Sequence, residues 1–279
     1  MPHNHPAHPE APVDREVSTI VIPAVRPPLA HEERWKRDIA PSTAFRWLAH
    51  GWRDFWTYPA PSVAYGVLIF LLSLVIVGGM FFYGHDYILF PALAGFMVVG
   101  PILAIGLYEK SRRIADGESV SLRRMIFVHP KSGAQVLFTG ALLCLLMLLW
   151  MRAAVIIYAL FFGVRPFPGL DHVSEMLFTT PTGWAMLAVG CAVGALFGGF
   201  SFAISAFSVP MLLDRRVDAL TAMGTSLALV WNNLPLMLTW GAIMLVLVGL
   251  SVATGFLGLI IVFPVLGHGT WHAYAAVRP

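Results

Sequence analysis

Apolar residues run along this chain in blocks of roughly 20 or more, the length of helix that crosses a bilayer core. Clusters of charge, proline and glycine separate them. The blocks cover about 62–83, 88–108, a stretch that begins near Ala134 and passes Arg152, 183–213, and 234–266. The last would measure about 50 Å as one helix, too long for a single crossing, so the pattern predicts a break near Gly249 to Gly255. This gives six transmembrane helices, with a five-span arrangement around one long tilted or broken helix as the alternative.

Shorter amphipathic stretches lie between the blocks. In Ser42 to Tyr58, Phe45, Leu48, Trp52, Phe55 and Trp56 recur at helical spacing beside Arg46, Arg53 and Asp54. Such a pattern suits a helix lying at the headgroup level. Leu122, Met125 and Ile126 beside Arg123 and Arg124 form a second candidate, and Ala219 to Trp231 a third. The reading is all-α: a polytopic membrane helical bundle arranged as three hairpin repeats, each led by a cytoplasmic interfacial helix. Residues 1–41, rich in proline, histidine and charge, are expected to be a disordered cytoplasmic tail, with 42–279 the transmembrane domain. His3, His5 and His8 in that tail are candidates for loose metal binding. A short helix is expected at Asp171 to Phe178, within the one sizeable loop on the opposite side.

Each returning span has a proline before its inner end, at Pro101, Pro210 and Pro264. Proline withdraws a backbone donor and kinks a helix, and neighbouring spans supply the freed carbonyl with a partner. Gly190, Gly194 and Gly198, at spacing four, mark a ridge where another helix backbone can approach. Cys144 and Cys191 stand in apolar runs, far from any C-x-x-C spacing, and read as small packing residues.

Composition agrees with the pattern, at 58% hydrophobic and 12% charged residues, about half the charge of a soluble domain. The placement of charge says more than the net of +3. Sixteen of the 18 lysines and arginines fall on one presumed side of the bundle, and Arg152 and Arg165 on the other. The positive-inside rule therefore puts both termini in the cytoplasm. It also explains the basic residues without nucleic acid. Arg152 is expected to snorkel to the far interface.

The candidate chemistry lies where the returning helices leave the bilayer. Four residues beyond the three prolines stand Ile105, Asp214 and His268; eight beyond stand Glu109, Asp218 and His272. If the three exits converge, His268 and His272 with Asp214, Asp218 and Glu109 make a candidate metal site, because imidazole and carboxylate suit zinc and similar ions. His268 and His272 are also the candidate haem ligands. Sharing one helix face, they cannot be opposite axial ligands of one haem, so a bis-histidine haem requires His268 or His272 paired with another cytoplasmic-side residue such as His50 or His129, or with a second subunit. The bland alternative is that the acids balance charge and the imidazoles meet headgroups or backbone.

The segments Gly51-Trp52-Arg53-Asp54-Phe55, Trp150-Met151-Arg152-Ala153 and Gly267-His268-Gly269-Thr270-Trp271-His272-Ala273-Tyr274 carry a resemblance. Over roughly residues 42–276 the chain resembles bacterial integral membrane proteins of a domain of unknown function, some of which are labelled a cytochrome c oxidase subunit. More loosely, its repeated plan is similar to the membrane domains attached to some glycerophosphodiester phosphodiesterases, without their catalytic domain. The resemblance implies a multi-pass protein of a bacterial inner membrane. It does not imply the catalytic haem-copper subunit, which has many more spans and ligand histidines.

No phosphate loop, G-x-S-x-G or H-E-x-x-H occurs, and the expectation is a non-enzymatic protein. Three roles fit the residues. The first is an inner-membrane accessory or scaffold, linked to a respiratory complex and binding metal or haem at His268 and His272. The second is a small transporter or channel with a polar cytoplasmic vestibule. The third is a lipid-interacting protein using its amphipathic helices, with Trp47 among the aromatic residues of the first. Partners on these readings are the bilayer, subunits of a membrane complex or a second copy of the chain.

Overall fold

A backbone that leaves water must pair its own N–H and C=O groups, and a helix does so within one segment. The computed structural model describes residues 35–163 and 169–278, and within these the elements are helices without strands. They are α1 (Thr43–Trp56), α2 (Pro59–Phe82), α3 (Leu89–Leu103), α4 (Ile105–Ala115), α5 (Leu122–Ile126), α6 (Gly133–Phe162), α7 (Leu170–Thr179), α8 (Pro181–Ser205), α9 (Ser208–Asp214), α10 (Ala219–Asn232), α11 (Leu234–Ala253) and α12 (Leu259–Val277). Among the described residues, six spans are long and apolar enough to cross a membrane: α2, α3 with α4, α6, α8 with α9, α11, and α12. The break in the last apolar run falls at Thr254 to Gly258, slightly beyond the expected position. There Gly255 and Phe256 take positive φ, while Gly249 stays inside α11.

α12 is the central span. Of its most apolar stretch 67% is buried, against 22% or less in the other five. It packs against α1, α2, α4, α9 and α11, while α3, α6 and α8 form the adjoining flank. Leu137, Leu160 and Leu196 stand outward, as lipid-facing residues do. Consecutive spans pair as hairpins only in part. α6 adjoins α8 and α11 adjoins α12, whereas α2 packs mainly on α12 and α3 mainly on α6.

Two of the three prolines coincide with interruptions. The second span breaks at Ala104, after Pro101, and the Tyr65 hydroxyl donates to the Leu103 carbonyl at 2.7 Å. The fourth breaks at Ala206 and Phe207, ahead of Pro210. There Ser226 of α10 accepts from the Phe207 N–H at 3.1 Å and donates to the Ala203 carbonyl at 2.7 Å, so one hydroxyl serves both freed groups. Pro264 is carried inside an unbroken α12.

Several local expectations are corrected by packing. Glu109 to Arg113 stands near the end of the second span, which runs to Ala115. It lies inside α4, with Glu109, Lys110 and Ser111 buried, because α12 packs along that helix. The second amphipathic stretch is only the five residues of α5, with Met125 buried beneath Gly106. Of the glycine ridge, Gly194 seats the Trp150 ring, while Gly190 and Gly198 face open space. Cys144 and Cys191 are exposed on the outside of the bundle and are not internal packing residues. Arg152 also faces outward, as snorkelling requires.

The unit formed by the described residues starts at Trp35, seven residues before the expected domain boundary. Arg37 donates its N–H to Asn233 Oδ1 at 2.7 Å and its Nε–H to the Val277 carbonyl at 3.2 Å, and Asn233 Nδ2 donates to the Trp35 carbonyl. This strap ties the α10–α11 junction to the end of α12. Residues 1–34, with His3, His5 and His8, and the loop residue Arg165 lie outside the described residues.

Candidate functional site

The crossing of α1 and α12 is made by glycine. A Cβ on Gly51 would sit 2.4 Å from the Val265 carbonyl oxygen and 2.7 Å from the Gly269 nitrogen, so the two backbones are in direct contact. A Cβ on Gly269 would strike the Trp240 ring at 2.7 Å, and one on Gly267 would strike Leu107 at 2.6 Å. Trp47 and Trp240 meet edge to face beside the crossing, at 5.9 Å between ring centroids. Thus α1 is docked into the bundle by its inner face. Trp47 and Phe55, expected among the lipid-facing aromatics, are buried against protein.

This close approach encloses a polar network. His268 is fully buried, not placed at a polar boundary. Its Nε2 lies 3.0 Å from Ser62 Oγ, and its Nδ1 lies 2.9 Å from Ser111 Oγ and 3.1 Å from the Leu107 carbonyl. A carbonyl only accepts, so in the neutral ring Nδ1 carries the proton and Nε2 accepts from Ser62. Lys110, also fully buried, donates to Ser62 Oγ at 2.7 Å and to the Tyr58 carbonyl at 2.9 Å. Ser111 faces the buried Asp54 carboxylate, which His272 Nε2 approaches at 2.8 Å. One orientation of donors then runs from the Lys110 ammonium through Ser62, His268 and Ser111 to Asp54.

A buried cation and a buried carboxylate thus end one hydrogen-bonded chain across α1, α2, α4 and α12. Burying charge is expensive unless it is paired and hydrogen-bonded, and here each end is. Lys110 also holds a strained turn, because Tyr58 has φ +58°, unfavourable for a residue with a Cβ. Burial pushes the Asp54 carboxyl up, but hydrogen bonds from His272 and Ser111 and the nearby imidazoles outweigh it, leaving the carboxyl below its ordinary range. Partial burial, with His272, Arg53 and Arg46 nearby, holds the His50 imidazole below its ordinary value despite the opposing effect of Asp54.

The three proline-aligned exits do converge as elements, since α4, α9 and α12 pack on one another. Their candidate side chains go separate ways. Glu109 is held by Arg112 at 3.0 Å and by Arg113, both on its own helix. Asp214 accepts from the Tyr274 hydroxyl at 3.0 Å and lies near Lys131, Arg215 and Arg278. Asp218 caps α10 by accepting from the Thr221 N–H at 2.8 Å, and that bond holds its carboxyl below the ordinary range. Ile105 carries no ligand atom. Among the described residues no group of three or more His, Cys, Asp or Glu side chains is positioned for a metal ion. His50 and His272 meet edge to face at 5.0 Å between centroids, in direct contact, with no room for a porphyrin between them.

The sequence pointed to His268 and His272 but not to Asp54, Ser62, Lys110 or Ser111. A helical wheel carried one signal: Asp54 falls on the same side of α1 as Trp47 and Gly51. Lys110 and Ser111 were masked by the charged run around them, which reads as a solvated helix end. The conspicuous segments Gly51–Phe55 and Gly267–Tyr274 are now explained as the two sides of one helix crossing, and Trp150 as the ring seated on Gly194.

No curated protein and no solved structure matches the chain. Residues 89–214, from the start of α3 to the end of α9, match the family described as predicted integral membrane protein, DUF2189, and with its six apolar spans the chain is a polytopic integral membrane protein.

Proposed function

We propose that this protein is a non-enzymatic scaffold or accessory subunit of a membrane complex in a bacterial inner membrane, with both termini cytoplasmic. The observation that carries this reading is the use of its polar groups. His268, His272, Asp214, Asp218 and Glu109 are each engaged by a neighbouring side chain or backbone group, mostly across helices. A cleft of about 60 Å³ near the helix breaks is lined by apolar side chains such as Met97, Pro101, Phe202, Val248 and Phe263. A transporter of the expected kind would instead aim those acids and imidazoles into a shared polar vestibule. The respiratory link follows from the resemblance, and the distribution of lysine and arginine supports the sidedness.

The test is purification of the full chain in mild detergent, followed by identification of co-purifying subunits and reconstitution into vesicles. Stable partner subunits and vesicles no leakier than empty ones are expected. Protein-dependent proton or solute flux, abolished by Asp214→Asn or His268→Ala, would overturn the scaffold reading in favour of transport. Metal or haem retained by the wild type and lost in His268→Ala/His272→Ala would add a cofactor role to the same protein.

A further inference from the structure

The outer side of α1 presents chemistry that the scaffold reading does not use. Successive residues of a helix are about 100° apart, so the 14 residues of α1 sort into three sectors. Ala44, Trp47, Gly51, Asp54 and Phe55 are buried and face the bundle. Phe45, Trp52 and Trp56, at steps of seven and four, form an aromatic stripe, each between 48% and 59% exposed. Arg46, His50 and Arg53, at steps of four and three, form a basic stripe one sector away, and all three are exposed.

The position of α1 fixes what these stripes meet. The helix ends at Trp56, with two residues between it and the start of the spanning helix α2 at Pro59, and its other side is locked to α12 at Gly51. It therefore lies where the bundle leaves the apolar layer. A free amphipathic helix can roll; this one cannot, because a backbone contact sets its rotation. Asp54, the acid nearest the basic stripe, is buried and paired with His272, so its charge is turned inward. Arg46 also donates to Thr43 Oγ1 at 2.8 Å within α1, which steadies its guanidinium.

We propose that the outer face of α1 is a binding surface for anionic phospholipid. The headgroup phosphate meets Arg46, His50 and Arg53, and the upper acyl chains pack on Phe45, Trp52 and Trp56. Arginine suits phosphate because its planar fork gives paired donors, and aromatic rings suit the boundary between headgroup and acyl chain. The occupant is a lipid and not a free phosphate ester, because the aromatic stripe contributes only if acyl chains lie beside the headgroup.

Native mass spectrometry of the full-length protein in detergent, titrated separately with phosphatidylglycerol and with phosphatidylcholine of the same chains, tests this. The wild type is expected to bind phosphatidylglycerol at least roughly tenfold more tightly. Arg46→Gln/Arg53→Gln should lose most of that preference, Arg46→Lys/Arg53→Lys, which keeps the charge and loses the fork, should retain only part of it, and Arg123→Gln/Arg124→Gln on α5 should leave it unchanged. Equal affinity of the wild type for the two lipids would overturn the proposal, and this outcome needs no variant to fold. So would a preference that survives the double glutamine change, or glycerol phosphate competing as well as the lipid.

Discussion

A methyl group on Gly51 would have to share space with the backbone of Val265 and Gly269, and neither has a flexible end that can move aside. Gly51→Ala is therefore expected to destabilise the protein by about 1–3 kcal/mol or more, as overpacking does. Gly198→Ala adds the same methyl where nothing lies within 4 Å, and is expected to be neutral or stabilising by up to about 1 kcal/mol, the helix preference for alanine. Unfolding in detergent compares the two, and equal effects would contradict the crossing described. The polar residues at that crossing give a pH dependence. His50 has a lowered affinity for protons in the fold, so the unfolded chain binds the proton first. Its contribution to stability is full above its ordinary value of 6.5 and is lost as pH falls below it. Asp54 acts in the same sense at more acid pH, present above its ordinary value of 3.8 and lost as pH falls through its depressed value. Stability should therefore fall as pH drops from 7 toward 5. His50→Gln should flatten that part of the profile, and an unchanged slope would remove His50 from the account.

At the scale of elements, interrupted helices are tolerable inside a bundle only where another side chain serves the freed backbone. Ser226 does this for the break between α8 and α9 with one hydroxyl. Ser226→Ala leaves the Phe207 N–H and the Ala203 carbonyl without it, at an expected cost of about 1–3 kcal/mol. Amide exchange should rise locally around Phe207 and not along α11; unchanged exchange there would mean that another group serves the break. The same contrast explains which elements could be read from the chain. α2, α6 and α11 are evident because long apolar runs have one way to satisfy their backbone. The break at Ala206 is not evident, because the residue that stabilises it lies 20 positions further along, on another helix.

For the whole molecule, the burial of α12 sets the expectation. A carbene reagent dissolved in the bilayer should label α6 and α8 heavily and α12 least of the six spans, since α12 is screened by α1, α2, α4, α9 and α11. Comparable labelling of α12 and α6 would be incompatible with a central α12. The first and last of the described helices meet around this span, since α1 docks on it and Arg37 reaches the Val277 carbonyl at its end.

The sequence by itself determined the class of the protein and the approximate limits of most spans, while the choice between five and six fell to the structure. The class and the limits depend on apolar length and local backbone satisfaction, which a single segment carries within itself. It also brought His268 and His272 forward, as two imidazoles one turn apart. Only the tertiary structure decided what they do. His272 meets Asp54 across a separation of 218 residues, and His268 bridges Ser62 and Ser111 in a space that exists because Gly51 lets two backbones touch. A histidine at a helix exit is a ligand, a headgroup contact or a core residue according to what packs against it. That partner is chosen by the fold, through contacts that no local pattern encodes.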